Sequence, residues 1–157
     1  EWHESIRSLK ESLTGSETIE SDFSTLPEIF TVQSMIQSIF HNLLSNAIKY
    51  QSWDRNLVVK AKSWEVDDSA VIQITDNGLG FDAVLYKKQL FKLYKRFHTH
   101  VEGRGIGLYL VKAQLEILHG SIEVESAPDE GTSVTITIPL EGKKQVLANK
   151  LFDTTDR

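Results

Sequence analysis

Cysteine is absent from the 157 residues, which excludes a disulfide framework and any thiolate metal centre. No apolar run approaches the roughly 20 residues that cross a bilayer, and no secretory signal pattern is present. No membrane contact by this stretch of chain is expected; its location is expected to be cytoplasmic, with anchoring of a parent protein in the inner membrane left open. Positive charge is in short supply: 17 Lys and Arg stand against 22 Asp and Glu, a net charge of −5. Gripping a phosphate backbone needs a basic surface, so nucleic acid is excluded as the main partner. An initiating Met is missing as well; the chain starts at Glu1 and is expected to be part of a longer protein. Internal repeats and low-complexity blocks are lacking.

What is present reads as one globular domain. Apolar residues make up 40% and charged residues 25%, ordinary values for a chain long enough to close a hydrophobic core. Trp2, Ile6, Leu9 and Leu13 recur at helical spacing over 1–14, a lead-in helix closed by Gly15. A short extended piece follows at 18–24. Residues 32–50 carry the strongest helical signal, with Ile36, Ile39, Phe40, Leu43, Leu44, Ala47 and Ile48 on one face. On its flank stand Asn42, Asn46, Lys49 and Tyr50, linked by three- and four-residue steps that bring side chains together. Residues 56–66 and 70–75, joined by Asp67-Asp68-Ser69, read as a hairpin. "DNGLGF" (76–81), a polar helix with Tyr86, Leu90, Phe91 and Tyr94, and a helix over 106–120 come next. Strands at 121–127 and 132–140 flank the turn "PDEG", and a polar tail runs over 141–157. Helices and antiparallel strands alternate unevenly, which favours an α+β two-layer sandwich over a doubly wound parallel sheet.

The glycines raise the question of function. "EGRGIGL" (102–108) places Gly103, Gly105 and Gly107 directly before a helix. A dinucleotide fingerprint requires a preceding buried strand and a third glycine three positions past the second; here position 108 is Leu, and "KRFHTHVE" upstream is polar. No G-x-x-x-x-G-K-[ST] run exists either, which excludes a P-loop. What remains is a glycine loop that either cradles phosphate at a helix N-terminus or merely permits a tight turn. "DNGLGF" leaves a similar choice. Asn-Gly is the strongest hairpin dipeptide, yet the residues after it read as helix. Asp76 at the end of a buried strand can instead accept a hydrogen bond from the exocyclic amine of a flat ligand. The amides of Asn42 and Asn46 suit Mg²⁺, which prefers oxygen and keeps several waters. His98 and His100 lack convergent partners and make a weak metal site.

Taken in order, "HNLLSNAIKY" (41–50), "DNGLGF" (76–81), "LFKLYKRF" (90–97), "EGRGIGL" (102–108) and "GTSVTI" (131–136) form one constellation. It resembles the N, G1, F, G2 and G3 boxes of the catalytic ATP-binding domain of bacterial two-component sensor histidine kinases. The resemblance covers about residues 25–140 and implies the Bergerat fold: a mixed five-stranded sheet covered on one face by three main helices. It implies a catalytic domain over 1–140, followed by the tail.

By position, Asn46 resembles the Mg²⁺-coordinating asparagine of the N box, with Asn42 one turn earlier in the same site. Lys49 matches the phosphate-contacting lysine and Tyr50 the aromatic that lines adenine and ribose. Asp76 matches the acceptor of the adenine amino group, and Gly78 and Gly80 shape its pocket. Thr132 matches the residue in the water network behind adenine. Gly103, Gly105, Gly107 and Leu108 fall in the box beside the triphosphate, and Arg96 and Arg104 are expected at the γ-phosphate. The lid between Phe97 and Gly103 is short. Related ATPases of the gyrase and Hsp90 group carry a general-base Glu where this chain has Asn42, whose amide takes no proton from water. The resemblance thus implies a domain that holds Mg-ATP without efficient hydrolysis and passes phosphate to a histidine on a separate dimerisation domain. From there the phosphate passes to a response regulator receiver domain. His3, in "HESIRSL", is expected to be an exposed residue of the first helix rather than that acceptor. Two other readings are a degenerate signalling module without catalysis and an anti-sigma-type serine kinase of the same fold.

Overall fold

Alternation along the strands decides which way the sheet faces. Val59, Ala61 and Ser63 are buried while Lys60 and Lys62 between them are exposed; on the next strand Ala70, Ile72 and Ile74 are buried, and Val71 on the opposite face is buried as well. Val134, Ile136 and Ile138 are buried at alternate positions near the end of the chain. A period of two puts all of these buried side chains except Val71 on one face, which must be covered. The computed structural model describes residues 1–94 and 105–140, and in it five strands satisfy that requirement. They are β1 (Thr18–Asp22), β2 (Val58–Val66), β3 (Ser69–Asp76), β4 (Ser121–Ala127) and β5 (Gly131–Pro139). Their order is β1-β2-β3-β5-β4, with β1 parallel to β2 and every other pair antiparallel. This is the mixed five-stranded α+β sheet expected from the sequence.

The covering layer comes from α1 (Trp2–Ser8), α2 (Gln33–Lys49) and α4 (Gly107–Ile117), with a short α3 (Ala83–Tyr86) beside the sheet. All seven apolar positions read from the sequence on the second helix are buried, and α4 adds Val111 and Leu115. Trp2 of α1 meets the rings of Phe40 and Phe23 edge-on at 5.4 and 5.8 Å, so the lead-in helix closes the same core as α2. Asp67 and Asp68, at φ 47° and 58°, form the left-handed pair that a two-residue hairpin between β2 and β3 requires.

Two helices are shorter than their periodicity predicts. The first leaves helical geometry at Leu9 (φ −101°, ψ 6°) and continues as a 3-10 turn over Lys10–Ser12. The polar helix after residue 81 is α-helical only over Ala83–Tyr86, capped by the Asp82 carboxylate, which accepts from the Leu85 N–H at 2.8 Å. Beyond it Gln89 and Lys92 bond to carbonyls three residues back, and Leu90 alone of this stretch is buried. With one apolar anchor there is no stripe to hold a longer helix against the sheet. The predicted lid, with His98 and His100, and the 141–157 tail lie outside the described residues.

Candidate nucleotide site

Strand β3 ends by carrying Asp76 out of the core into the "DNGLGF" loop. Its carboxylate accepts the Gly78 N–H at 2.8 Å and the Thr132 N–H across the β3–β5 ladder. Burial nonetheless dominates and pushes the carboxyl up to about 6 from its ordinary 3.8, the two amides pulling the other way. A carboxylate held in this partly desolvated setting attracts a hydrogen-bond donor from a ligand.

The loop is fitted to its neighbours at the level of backbone. A Cβ on Gly78 would lie 2.5 Å from the Tyr50 carbonyl, and one on Gly80 (φ 58°) would overlap the Ala127 carbonyl. Tyr50, at the C-terminal end of α2, also accepts the Leu79 N–H through that carbonyl at 2.8 Å. The sheet, the loop and the end of α2 therefore enclose one cleft. Its walls are apolar (Leu43, Ile74, Phe81, Leu90, Val124 and Val134), and its polar groups are few, the usual build of a site for a flat ligand.

Across the cleft stands the N-terminus of α4, whose first amides have no acceptor within the helix. Gly107 opens that helix and Gly105 precedes it at φ 66°. A Cβ on Gly107 would sit 3.4 Å from Asn42 Oδ1 and from both amide atoms of Asn46. The Asn42 Nδ2 is taken up by the Ser38 carbonyl at 2.8 Å, which leaves its oxygen as the available end. Among the described residues no group of three or more His, Cys, Asp or Glu converges, so a carboxylate cage is not on offer there. A hard dication that takes one or two protein oxygens and completes its shell with water and phosphate fits these amides.

Of the residues singled out in the sequence, Asn46, Tyr50, Asp76, Gly80, Gly105, Gly107, Leu108 and Thr132 line this one cleft. Gly78 sits behind Asp76, and Asn42 faces Gly107 beside Asn46. Lys49 is exposed on the last turn of α2 and does not line it. Arg96, Gly103 and Arg104 lie outside the described residues.

Other residues at the site carry no signal in the sequence. Arg55 Nε donates to the Asn77 carbonyl at 2.7 Å, while its Nη2 donates to Gly78 at 2.9 Å and Asp129 at 2.7 Å. Asn77 adds its side chain, accepting the Val58 N–H at 2.8 Å and donating to Asn56 at 3.0 Å. One guanidinium thus staples the β3 loop to the β4–β5 turn. Replacing Arg55 by Ala is expected to lower stability by about 2 kcal/mol, since charged hydrogen bonds to carbonyls are lost. Thermal melts of the variant beside the unaltered chain check this.

A two-layer α+β domain with an apolar cleft, a carboxylate at its floor, and paired asparagines opposite a glycine-led helix defines a Bergerat-type nucleotide-binding domain. The model of the "Histidine kinase-, DNA gyrase B-, and HSP90-like ATPase" family matches residues 31–142. The chain belongs to that family, and it is an ATP-binding catalytic domain of the sensor histidine kinase type. It is 36% identical over 121 residues to the sensor protein RprX of Bacteroides fragilis, covering 74% of this chain and 23% of that protein. Over 123 residues it is 31% identical to the phytochrome-like protein Cph1 of Synechocystis, covering 77% of this chain and 16% of that one. The chain thus spans a quarter or less of these curated relatives. In fold it is similar to the mycobacterial sensor histidine kinase MprB (TM-score 0.75, 21% identity, 88% of this chain and 92% of that one). The catalytic domain of the histidine kinase ThkA gives a TM-score of 0.70 at 21% identity, over 88% and 90% of the two chains.

Proposed function

We propose that this domain binds Mg-ATP in the cleft and donates the γ-phosphate to a histidine on a separate dimerisation and phosphotransfer domain of the same protein. That histidine in turn serves a response regulator receiver domain, in the cytoplasm. The observation that carries the reading is the convergence of Asp76, the amides of Asn42 and Asn46, and the N-terminus of α4 on one cleft.

In this reading Asp76 accepts the adenine amino group, Thr132 faces the same base edge, and Gly78 and Gly80 let the backbone close around the ring. Tyr50 lines adenine and ribose. Asn46 and Asn42 hold Mg²⁺ through their amide oxygens, and the ion, when bound, neutralises phosphate charge. Gly103, Gly105, Gly107 and Leu108 bring free amides to the phosphates, and Lys49, Arg96 and Arg104 supply mobile positive charge. Asn42 cannot act as a general base towards water, so ATP is retained for transfer rather than spent on hydrolysis. His3 is exposed on α1 and is not among the cleft-lining residues; in this reading the acceptor histidine belongs to another domain. No helix among the described residues is long and apolar enough to cross a membrane.

Replacing Asn46 by Ala is expected to weaken Mg-ATP about tenfold or more while leaving adenosine affinity unchanged, because only the metal-bearing end is altered. Titration of both ligands with and without Mg²⁺ checks it. Transfer is tested by adding the dimerisation domain with labelled ATP: acid-labile, alkali-stable label on histidine is expected. Label on serine would assign the chain to the serine-kinase reading.

A further inference from the structure

The stretch that follows α3 has little of its own to hold it in place. Residues 87–94 bury a single apolar side chain, Leu90, and that side chain is part of the cleft wall. Two contacts tie the stretch to the α4 side of the cleft. At its far end the Tyr94 N–H donates to the Gly105 carbonyl at 3.0 Å, in the turn that leads into α4. Midway, the Lys112 ammonium of α4 lies over the Phe91 ring, 5.2 Å from its centroid. Phe91 is half-buried and adjoins Leu90 in the chain, while Lys112 follows the buried Val111. The same ammonium has a second partner in Glu116, at 3.9 Å, with 46% and 67% of the two side chains exposed. An ion pair that open contributes little. The ring is the partner that joins α4 to the stretch carrying Leu90.

We propose that Lys112 is a positioning residue: its ammonium clamps Phe91 against α4, and the clamp holds the Leu90 wall and the Gly105 turn in the arrangement that receives nucleotide. This rests on the nucleotide reading of the cleft and adds to it a residue that prepares the site from outside. Lys112 is not among the cleft-lining residues, so it acts through the ring and not on the ligand. A stretch with one apolar anchor opens locally at small cost, so its closed and open forms are both populated. A cation over a ring at a half-exposed site shifts such an equilibrium about threefold. A ligand that needs the wall and the turn in place binds in proportion to the closed fraction, which makes the effect on affinity about twofold.

The test joins calorimetric titration of ATP and ADP to backbone amide exchange of the free chain. Lys112→Met keeps an unbranched apolar stem and removes the charge. It is expected to weaken ATP and ADP alike, about twofold, and to speed exchange at the Leu90 and Tyr94 amides about twofold. The α2 amides of Leu43 and Leu44 and the melting temperature are expected to stay as they are. Lys112→Arg, which keeps a cation over the ring, is expected to restore affinity and exchange. Phe91→Leu is expected to match Lys112→Met, and combining the two to add nothing further. Glu116→Gln is expected to change neither readout. A larger loss for ATP than for ADP, or a loss that persists in the Phe91→Leu background, would overturn the inference by making Lys112 a charge that acts on phosphate. Unchanged exchange at Leu90 and Tyr94 in Lys112→Met would overturn it too, as would faster exchange throughout with a lower melting temperature. Failure of the unaltered chain to bind either nucleotide would instead overturn the nucleotide reading, while exchange at Tyr94 would still decide whether Lys112 holds the stretch.

Discussion

Replacement of Asp76 by Asn is expected to weaken adenine nucleotides by about 100-fold at pH 7.5 and, at the same pH, to raise thermal stability. Both effects have one cause. Burial holds the Asp76 carboxyl up at about 6 against an ordinary 3.8, so its charge is costly to the fold while being, in the proposed reading, the group that meets the adenine amine. The folded state keeps the proton more tightly than the unfolded chain. The associated stability is therefore fully present below pH 3.8 and lost as pH rises through about 6. A neutral amide avoids that loss, which is on the order of 2–3 kcal/mol at pH 8 for a rise from 3.8 to about 6. Nucleotide affinity runs in the opposite direction. It is level above pH 7 and falls as pH drops below about 6, where the free domain protonates Asp76. Binding measured from pH 5 to 8, beside thermal melts of both proteins, separates the account from a purely structural one. A structural residue would lose stability and affinity together.

Gly131→Ala is expected to cost more than about 3 kcal/mol and to lower the melting temperature by about 10 °C. Gly131 begins β5 at φ 85°, and a Cβ there would overlap the Asp76 carbonyl and come within 2.8 Å of the Asn77 Cα. Neither neighbour is the end of a flexible side chain, so relief requires moving the strand that carries Asp76. Gly15 provides the control. Its φ is 92°, but nothing lies within 4 Å of a Cβ there, so Gly15→Ala is expected to cost only about 1 kcal/mol, the left-handed penalty alone. Parallel melts of the two variants check both numbers. Equal losses would show that backbone conformation, not close approach, governs the turn.

Much of this was legible in the chain because the relevant signals are local. The alternation of Lys60 and Lys62 with Val59 and Ala61, and the seven apolar positions of α2, each report a buried face within a few residues. Asn42 and Asn46 stood out as a polar flank at four-residue spacing on an apolar helix, and Asp76 as a carboxylate where a strand runs into a glycine-rich turn. The ends of elements were less legible. Apolar spacing over 1–14 says nothing of Leu9 leaving the helix, which is a matter of packing in three dimensions. Arg55 was not legible at all, since it acts on backbone carbonyls. Arg55 reaches one 74 positions away, and no spacing rule marks an arginine in a polar loop for that task.

The central claim is that this cleft, with Asp76 at its floor and Asn42 and Asn46 opposite α4, is an Mg-ATP site. Calorimetric titration of ATP into the chain at pH 7.5, with and without Mg²⁺, tests it most directly. Saturable one-to-one binding, strengthened by Mg²⁺ and lost in Asp76→Asn, is the predicted result. Absence of saturable binding, or binding that Asp76→Asn leaves unchanged, would contradict it.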